Sequence, residues 1–240
     1  MKKFALITGA SGGIGSAIAE ELASQGWNLY LHYNENKQNV LDLINQLSHY
    51  EVECMPIYAD LSTKEGAHQL SRNVFQIDAI VYSSGSAPYG LFSDLTEEEM
   101  DKMWQLHVKS PMVLIQSLLS RLMQRSSSRI VLISSIWGQT GAACEVLYST
   151  VKGAQIAFVK SLSKEIARSS VRINCVAPGA VKTNMIAQFD NQELEEMELA
   201  IPLGYIAEPK DISGTVSFLL SERSSYITGQ VLAVNGGWYT

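Results

Sequence analysis

Thr8-Gly9-Ala10-Ser11-Gly12-Gly13-Ile14-Gly15 follows a short apolar run at residues 4–7 and opens a helix-like segment at 14–25. The chemistry of such a turn is specific. Its glycines permit a sharp reversal, bring the backbone close to a pyrophosphate, and let the helix pack closely on the strand before it. Unpaired N–H groups at the helix start then face the anion. Gly9, Ser11, Gly13, Ile14 and Gly15 are therefore candidate cofactor-binding residues. A glycine turn with no ligand is the plain alternative.

Outward from this turn, short apolar runs alternate with amphipathic segments along the chain. The strand candidates are 4–7, 29–32, 53–58, 79–82, 130–134, 172–176 and 231–234. Their apolar character is too continuous for one-sided strands, so they read as parallel strands covered on both faces. Helical segments fall at 14–25, 39–49, 64–75, 97–124, 145–167 and 211–220, and Thr96 with Glu99 forms a capping box before the long fourth one. Right-handed crossovers between such units build a doubly wound α/β sheet with helices on both faces. No linker splits residues 1–240, and Ser126-Ser127-Ser128 reads as a loop. The polar stretch 183–206, with its acid cluster at 193–198, reads either as a solvated helix or as a substrate-loop insertion over a pocket.

Composition bounds the function classes. Apolar residues make up 46% and charged residues 18%, enough for a large core and too ordered for a disordered chain. A net charge of -6 with scattered Lys and Arg gives no basic patch for nucleic acid. Cys54, Cys144 and Cys175 form no CxxC pair, so neither a disulfide framework nor a metal site is expected. No stretch reaches the ~20 apolar residues of a membrane helix, and the apolar run after Met1-Lys2-Lys3 is too short for a signal peptide. A soluble, cytoplasmic protein is the expectation.

The second strand candidate ends Leu31-His32-Tyr33-Asn34, with no acid before Glu35. Folds that take NAD usually place an Asp or Glu there to hold the ribose 2′-hydroxyl. Without a carboxylate to repel a 2′-phosphate, NADPH is favoured over NADH, with Tyr33 and Asn34 as candidate contacts. Lys37 is either a phosphate partner or an ordinary surface lysine.

Tyr148 and Lys152 stand one helical turn apart, so phenol and ammonium share a face. A nearby cation should lower the tyrosine pKa, and such a phenol can act as general acid to a carbonyl oxygen. Alone, this spacing is common on exposed helix faces. Ser135 adds weight, because it ends a strand, where open α/β sheets bind their ligands, and its hydroxyl can donate to a developing alkoxide.

With these residues in hand, the chain resembles the short-chain dehydrogenase/reductase family along essentially its whole length. Thr8–Gly15 is similar to the family's TGxxxGxG turn, Asp60-Leu61 to its adenine-contacting pair, and Ser135, Tyr148 and Lys152 to its catalytic trio. Pro178, Gly179, Val181 and Thr183 fall in the segment that borders the nicotinamide, and Asn235-Gly236-Gly237 in the C-terminal signature. The resemblance implies a single-domain Rossmann fold with a seven-stranded parallel sheet, hydride transfer from NADPH to a ketone, and a homotetramer. Two positions depart from the pattern. The family's NNAG reads Tyr82-Ser83-Ser84-Gly85, which keeps Ser83, Ser84 and Gly85 as cofactor contacts but leaves their role altered. Its relay asparagine aligns with His107, which is either a buried structural histidine or a replacement in the proton relay.

Within the family the chain is similar to 3-oxoacyl-[acyl-carrier-protein] reductases, and more so to elongation factor P 5-aminopentanone reductases. The latter likeness rests on Ser134 to Gly141, Cys144 to Ser149, and Leu106-His107-Val108 with Ser110-Pro111. The arginines that dock an acidic carrier align with Ser126 and Ser169, although Arg125 and Arg168 stand beside them. Glu145, three residues before Tyr148, suits an amine-bearing substrate or is an ordinary surface glutamate. A cofactor-binding sensor without turnover is the alternative of another class, and the intact trio speaks against it.

Overall fold

The computed structural model describes residues 2–187 and 189–240; Gln188, inside the 183–206 stretch, lies outside the described residues. Seven strands form: β1 (Phe4–Thr8), β2 (Asn28–Tyr33), β3 (Cys54–Tyr58), β4 (Ala79–Tyr82), β5 (Ser128–Ile133), β6 (Val171–Pro178) and β7 (Val231–Val234). All pair in parallel in the order β3-β2-β1-β4-β5-β6-β7. The register is set at the centre, where Leu6 lies opposite Tyr30 on one side and Ile80 on the other.

The helices are α1 (Gly13–Ser24), α2 (Lys37–Leu47), α3 (Gly66–Arg72), α4 (Glu97–Trp104), α5 (Ser110–Met123), α6 (Trp137–Thr140), α7 (Val146–Glu165), α8 (Asn191–Ala200) and α9 (Pro209–Leu220). Continuous apolar strands are explained by what covers them. Ala5, Ile7, Val81, Val131 and Val176 pack beneath Ile18 and Leu22 of α1, Val40 of α2 and Val216 of α9. Their alternates Leu6, Ile80, Leu132 and Ile173 pack on the other face against Leu70 of α3, Leu118 of α5 and Val159 of α7. Each large aliphatic side chain buried this way contributes about 1.5–3 kcal/mol. Polar strand residues persist only where partners meet them: Asn174 donates to Ile227 O at 3.0 Å and accepts from Gln230 N at 3.0 Å.

Two expectations change. The segment 97–124 is not one α-helix, because a π-helical turn, Gln105–Lys109, separates α4 from α5. Carbonyls in that wide turn are held from outside: the Tyr82 hydroxyl donates to Leu106 O at 2.6 Å and Gln155 Nε2 to His107 O at 2.7 Å. Ser128 belongs to β5 rather than to a loop, and its buried hydroxyl donates to Leu122 O at 2.9 Å. The acid cluster at 193–198 agrees with the solvated-helix reading: it lies in α8, which buries none of its residues and is opened by a capping box between Asp190 and Glu193.

Candidate active site

A parallel sheet with helices on both faces leaves a crevice where neighbouring crossovers part, here beyond β1 and β4, whose following helices go to opposite faces. Hydrogen bonds to the turn's own backbone and to neighbouring strands shape the glycine turn in that crevice. Gly9 takes a left-handed φ of 68° and its nitrogen donates to His32 Nδ1 at 3.0 Å. Gly12 N donates back to Gly9 O at 3.0 Å. Thr8 Oγ1 accepts from Ser83 N at 3.0 Å and Ser84 N at 3.1 Å, fastening β1 to the end of β4. Gly12 precedes α1 without a side-chain cap, so the first-turn N–H groups are left for another acceptor.

The crevice continues into a cleft of about 380 Å³. Ser135 follows β5, Tyr148 and Lys152 lie in the first turns of α7, and all three line it. Ser135 Oγ accepts from Trp137 N at 3.1 Å, which leaves its own hydrogen free to be donated. Lys152 Nζ donates to Ile133 O at 2.8 Å and sits 5.4 Å from the centre of the Tyr148 ring. Burial lowers the Lys152 pKa to about 8. Tyr148 departs from expectation: its pKa is raised, because burial outweighs the Ser135 hydroxyl that favours the phenolate, and Glu145 adds to the rise. The phenol is thus held protonated.

Most residues singled out from sequence meet here. Gly9, Ser11, Gly13, Ile14, Gly15, Ser83, Gly85, Ser135, Tyr148, Lys152, Pro178, Gly179, Val181 and Thr183 all border the cleft. Six do not. Tyr33 stacks at a tilt on Tyr58, with centroids 6.0 Å apart, and Asn34 is exposed beyond β2. Asp60 accepts from both the backbone N–H and the hydroxyl of Ser62, Leu61 is in the core, and Ser84 is buried behind the turn. His107 is also behind the wall, fully buried, its ring edge-on to Tyr148 at 5.9 Å. Its Nε2 lies 3.0 Å from Ser86 O, its Nδ1 has no hydrogen-bond partner among the described residues, and burial, aided by Lys152, holds its pKa well below the ordinary value. A Cβ on Gly85 would stand 2.6 Å from the imidazole, so that glycine makes room for the ring.

Sequence reasoning reached the far wall of the cleft only in part, through the reading of 183–206 as an insertion over a pocket, and missed its tryptophans. Trp137 and Trp238 meet edge to face at 5.2 Å, and Ile186, Phe189 and Met197 of the 183–206 stretch close the side above them. Tyr89, exposed on the loop after β4, stands edge-on to Phe189 at 5.8 Å. Glu145 precedes α7 but caps nothing; it lines the cleft, and burial raises its pKa while the Trp137 side chain pulls the other way. Trp238 is separated from Trp137 by a hundred residues, and no local pattern announces such a pairing.

A family model described as enoyl-(acyl carrier protein) reductase matches residues 9–239. The chain is 52% identical to the uncharacterized oxidoreductase YmfI of Bacillus subtilis (strain 168), covering 100% of both chains. It is 35% identical to the 3-oxoacyl-[acyl-carrier-protein] reductase FabG of Rickettsia felis, covering 98% of this chain and 96% of that one. Among solved structures, the angucycline C-6 ketoreductase LanV with bound NADP superposes with a TM-score of 0.93 at 26% identity, covering 98% and 95% of the two chains.

Proposed function

From the premise that the chain belongs to the short-chain dehydrogenase/reductase family and is an NAD(P)-dependent reductase, we propose that it uses NADPH to reduce a ketone that carries an amine, such as the 5-aminopentanone group on elongation factor P. The observation that carries the substrate reading is Glu145. A half-buried carboxylate that caps no helix, beside Trp137 and on the same wall as Tyr148, suits a cation reaching past the carbonyl. The carrier-protein alternative keeps only one of its two substitute docking arginines free of an acid among the described residues, because Arg125 is paired with Asp78 at 3.2 Å while Arg168 is exposed.

The cofactor reading rests on fit. A side chain at Gly15 would collide with backbone and one at Gly9 would crowd it, α1 offers uncapped N–H groups, and no carboxylate stands at residues 33–34. The NADP in LanV supports the same choice. Gly9, Ser11, Gly13, Ile14 and Gly15 would hold the pyrophosphate, with Pro178, Gly179, Val181 and Thr183 along the nicotinamide. A bound nicotinamide supplies the hydride. Tyr148 then gives its phenolic proton to the carbonyl oxygen, Ser135 donates its free hydrogen to the same atom, and Lys152 keeps a positive charge close by. His107 is assigned to the relay that returns a proton to Tyr148, supported by its unpartnered Nδ1 and its approach to the phenol ring. His107→Ala should alter turnover and its pH profile; unchanged values for both would remove that role.

The chain is further assigned to the cytoplasm; no helix among the described residues is long and apolar enough to cross a membrane. Exposed Trp104, Met112 and Val146 on α4, α5 and α7 support the homotetramer that the family resemblance implies.

Rates of NADPH oxidation with acetoacetyl carrier protein and with 5-aminopentanone-modified elongation factor P test the substrate. The modified factor should be preferred, and Glu145→Gln should cost that reaction roughly tenfold or more in kcat/KM. A strong preference for the carrier refutes the aminoketone, and NADPH uptake without oxidation of either points to a binding role.

A further inference from the structure

β2 delivers one polar side chain, His32, into an otherwise apolar strand end, and the ring is 2% exposed. It lies between two backbones. Nε2 is 3.0 Å from Ala59 O, and Nδ1 is 3.0 Å from Gly9 N. A carbonyl only accepts, and an amide N–H only donates. The two contacts together fix one tautomer: hydrogen on Nε2, lone pair on Nδ1 facing Gly9. Burial keeps the ring neutral, with a pKa lowered to about 4 against the opposing pulls of the Ala59 carbonyl and Asp60. The main chain of the same residue accepts from Ala10 N at 3.0 Å. Residue 32 therefore occupies both leading donors of the glycine turn, one with its ring and one with its carbonyl.

The Ser84 hydroxyl also approaches Nδ1, at 3.5 Å, from the end of β4. The imidazole thus sits where the ends of β1, β3 and β4 converge, directly behind the turn and outside the cleft lining. Gly9 needs such a hold. Its φ is 68°, and a part-buried N–H left without an acceptor carries a desolvation cost that favours a change of local conformation.

We propose that His32 is a positioning residue of the phosphate-binding turn, whose Nδ1 holds Gly9 so that the turn meets the cofactor already in its binding shape. This rests on the reading that the cleft takes a dinucleotide. His32 touches no cofactor atom in this account, and its action passes through Gly9.

Two substitutions separate the ring's two contacts. In His32→Asn, Oδ1 is bonded to Cγ just as Nδ1 is, so the acceptor for Gly9 is kept and the Ala59 contact is lost. In His32→Gln, the longer amide reaches toward Ala59 and the Gly9 acceptor is lost. His32→Leu removes both and keeps bulk. Four measurements on the full chain suffice: amide hydrogen exchange at Gly9 without ligand, NADPH affinity by fluorescence titration, kcat at saturating NADPH, and thermal stability.

His32→Asn should keep Gly9 exchange and NADPH affinity within about threefold of the parent, while His32→Gln weakens NADPH by roughly tenfold or more and speeds Gly9 exchange. In His32→Gln, kcat at saturation should stay within about twofold, since the loss of a positioned turn falls on binding. Equal weakening in Asn and Gln overturns the proposal, as does a loss of thermal stability and kcat with affinity unchanged. If His32→Leu fails to fold, the Asn–Gln contrast still decides. A parent protein that takes up no NADPH would sink the dinucleotide reading, while Gly9 exchange would still judge the histidine by itself.

Discussion

In Tyr148→Phe, ketone reduction should fall by roughly 10²–10⁴-fold, the usual contribution of a general acid, with NADPH affinity essentially unchanged. The phenol is the buried proton source nearest Ser135, and burial holds its proton on at any working pH. Phenylalanine keeps the ring's contacts with Met103, Val108 and Val151 and its edge-on approach to His107, so the pocket wall should stand. Only the proton is removed. The lysine adds a pH signature. With its pKa lowered to about 8 by burial, Lys152 is charged below that value and neutral above it, so reduction by the parent enzyme should decline as pH rises through about 8. Steady-state rates from pH 6 to 10 measure both effects. Retention of more than a tenth of the activity in Tyr148→Phe would take the proton away from this residue.

Gly15→Ala should destabilise the protein by about 3 kcal/mol or more, at or beyond the upper end of overpacking costs, and abolish detectable NADPH binding. A Cβ there would stand 2.2 Å from Gly9 O, 2.8 Å from Gly9 C and 3.0 Å from Ala10 Cα. All three are backbone atoms, so no rotamer change relieves the clash. Either α1 lifts away from β1 or the turn opens, and both disperse the N–H groups gathered there. Gly214→Ala is the matched control. Its Cβ would meet nothing within 4 Å on an exposed face of α9, and helix propensity predicts a gain of up to about 1 kcal/mol. Chemical denaturation of the two variants beside the parent, with an NADPH titration of each, provides the comparison. A stable, NADPH-binding Gly15→Ala would mean that the turn does not need its close approach to the first glycine.

The strands were legible because burial on both faces removes the alternation that would otherwise hide them among loops; β4 and β7 start and stop where the apolar runs do. The glycine turn and the Tyr148–Lys152 pair were legible because each is local, a few residues on one element. What escaped is tertiary. Nothing local says that Trp238 returns to face Trp137, or that His32 reaches back to Gly9 across twenty-three residues. The direction of the Tyr148 pKa was misjudged for a related reason: spacing reveals the neighbouring charge, whereas the extent of burial depends on the whole wall around it. Glu145 was read both ways from sequence. Its missing cap and its place on the cleft wall favour the functional alternative.

The wide turn at Gln105–Lys109 works as a phase adjuster. Successive α-helical residues advance about 100° around the axis, so one extra residue in a turn rotates everything that follows by that amount. Met103 before the turn and Pro111, Ile115 and Leu122 after it are all buried, and inserting that single step brings them close to one line along the helix. Deleting any one residue between 105 and 109 would restore uniform helical hydrogen bonding and leave the stripe in line, since seven regular steps of about 100° from Met103 to Pro111 end within about 20° of two full turns. The loss would be local: the Leu106 and His107 carbonyls would turn back into the helix, away from the Tyr82 hydroxyl and Gln155 Nε2 that hold them. The local irregularity beside the candidate active site is thus what lets the helix carry one extra residue, next to the His107 ring, while its buried stripe stays in line on both sides.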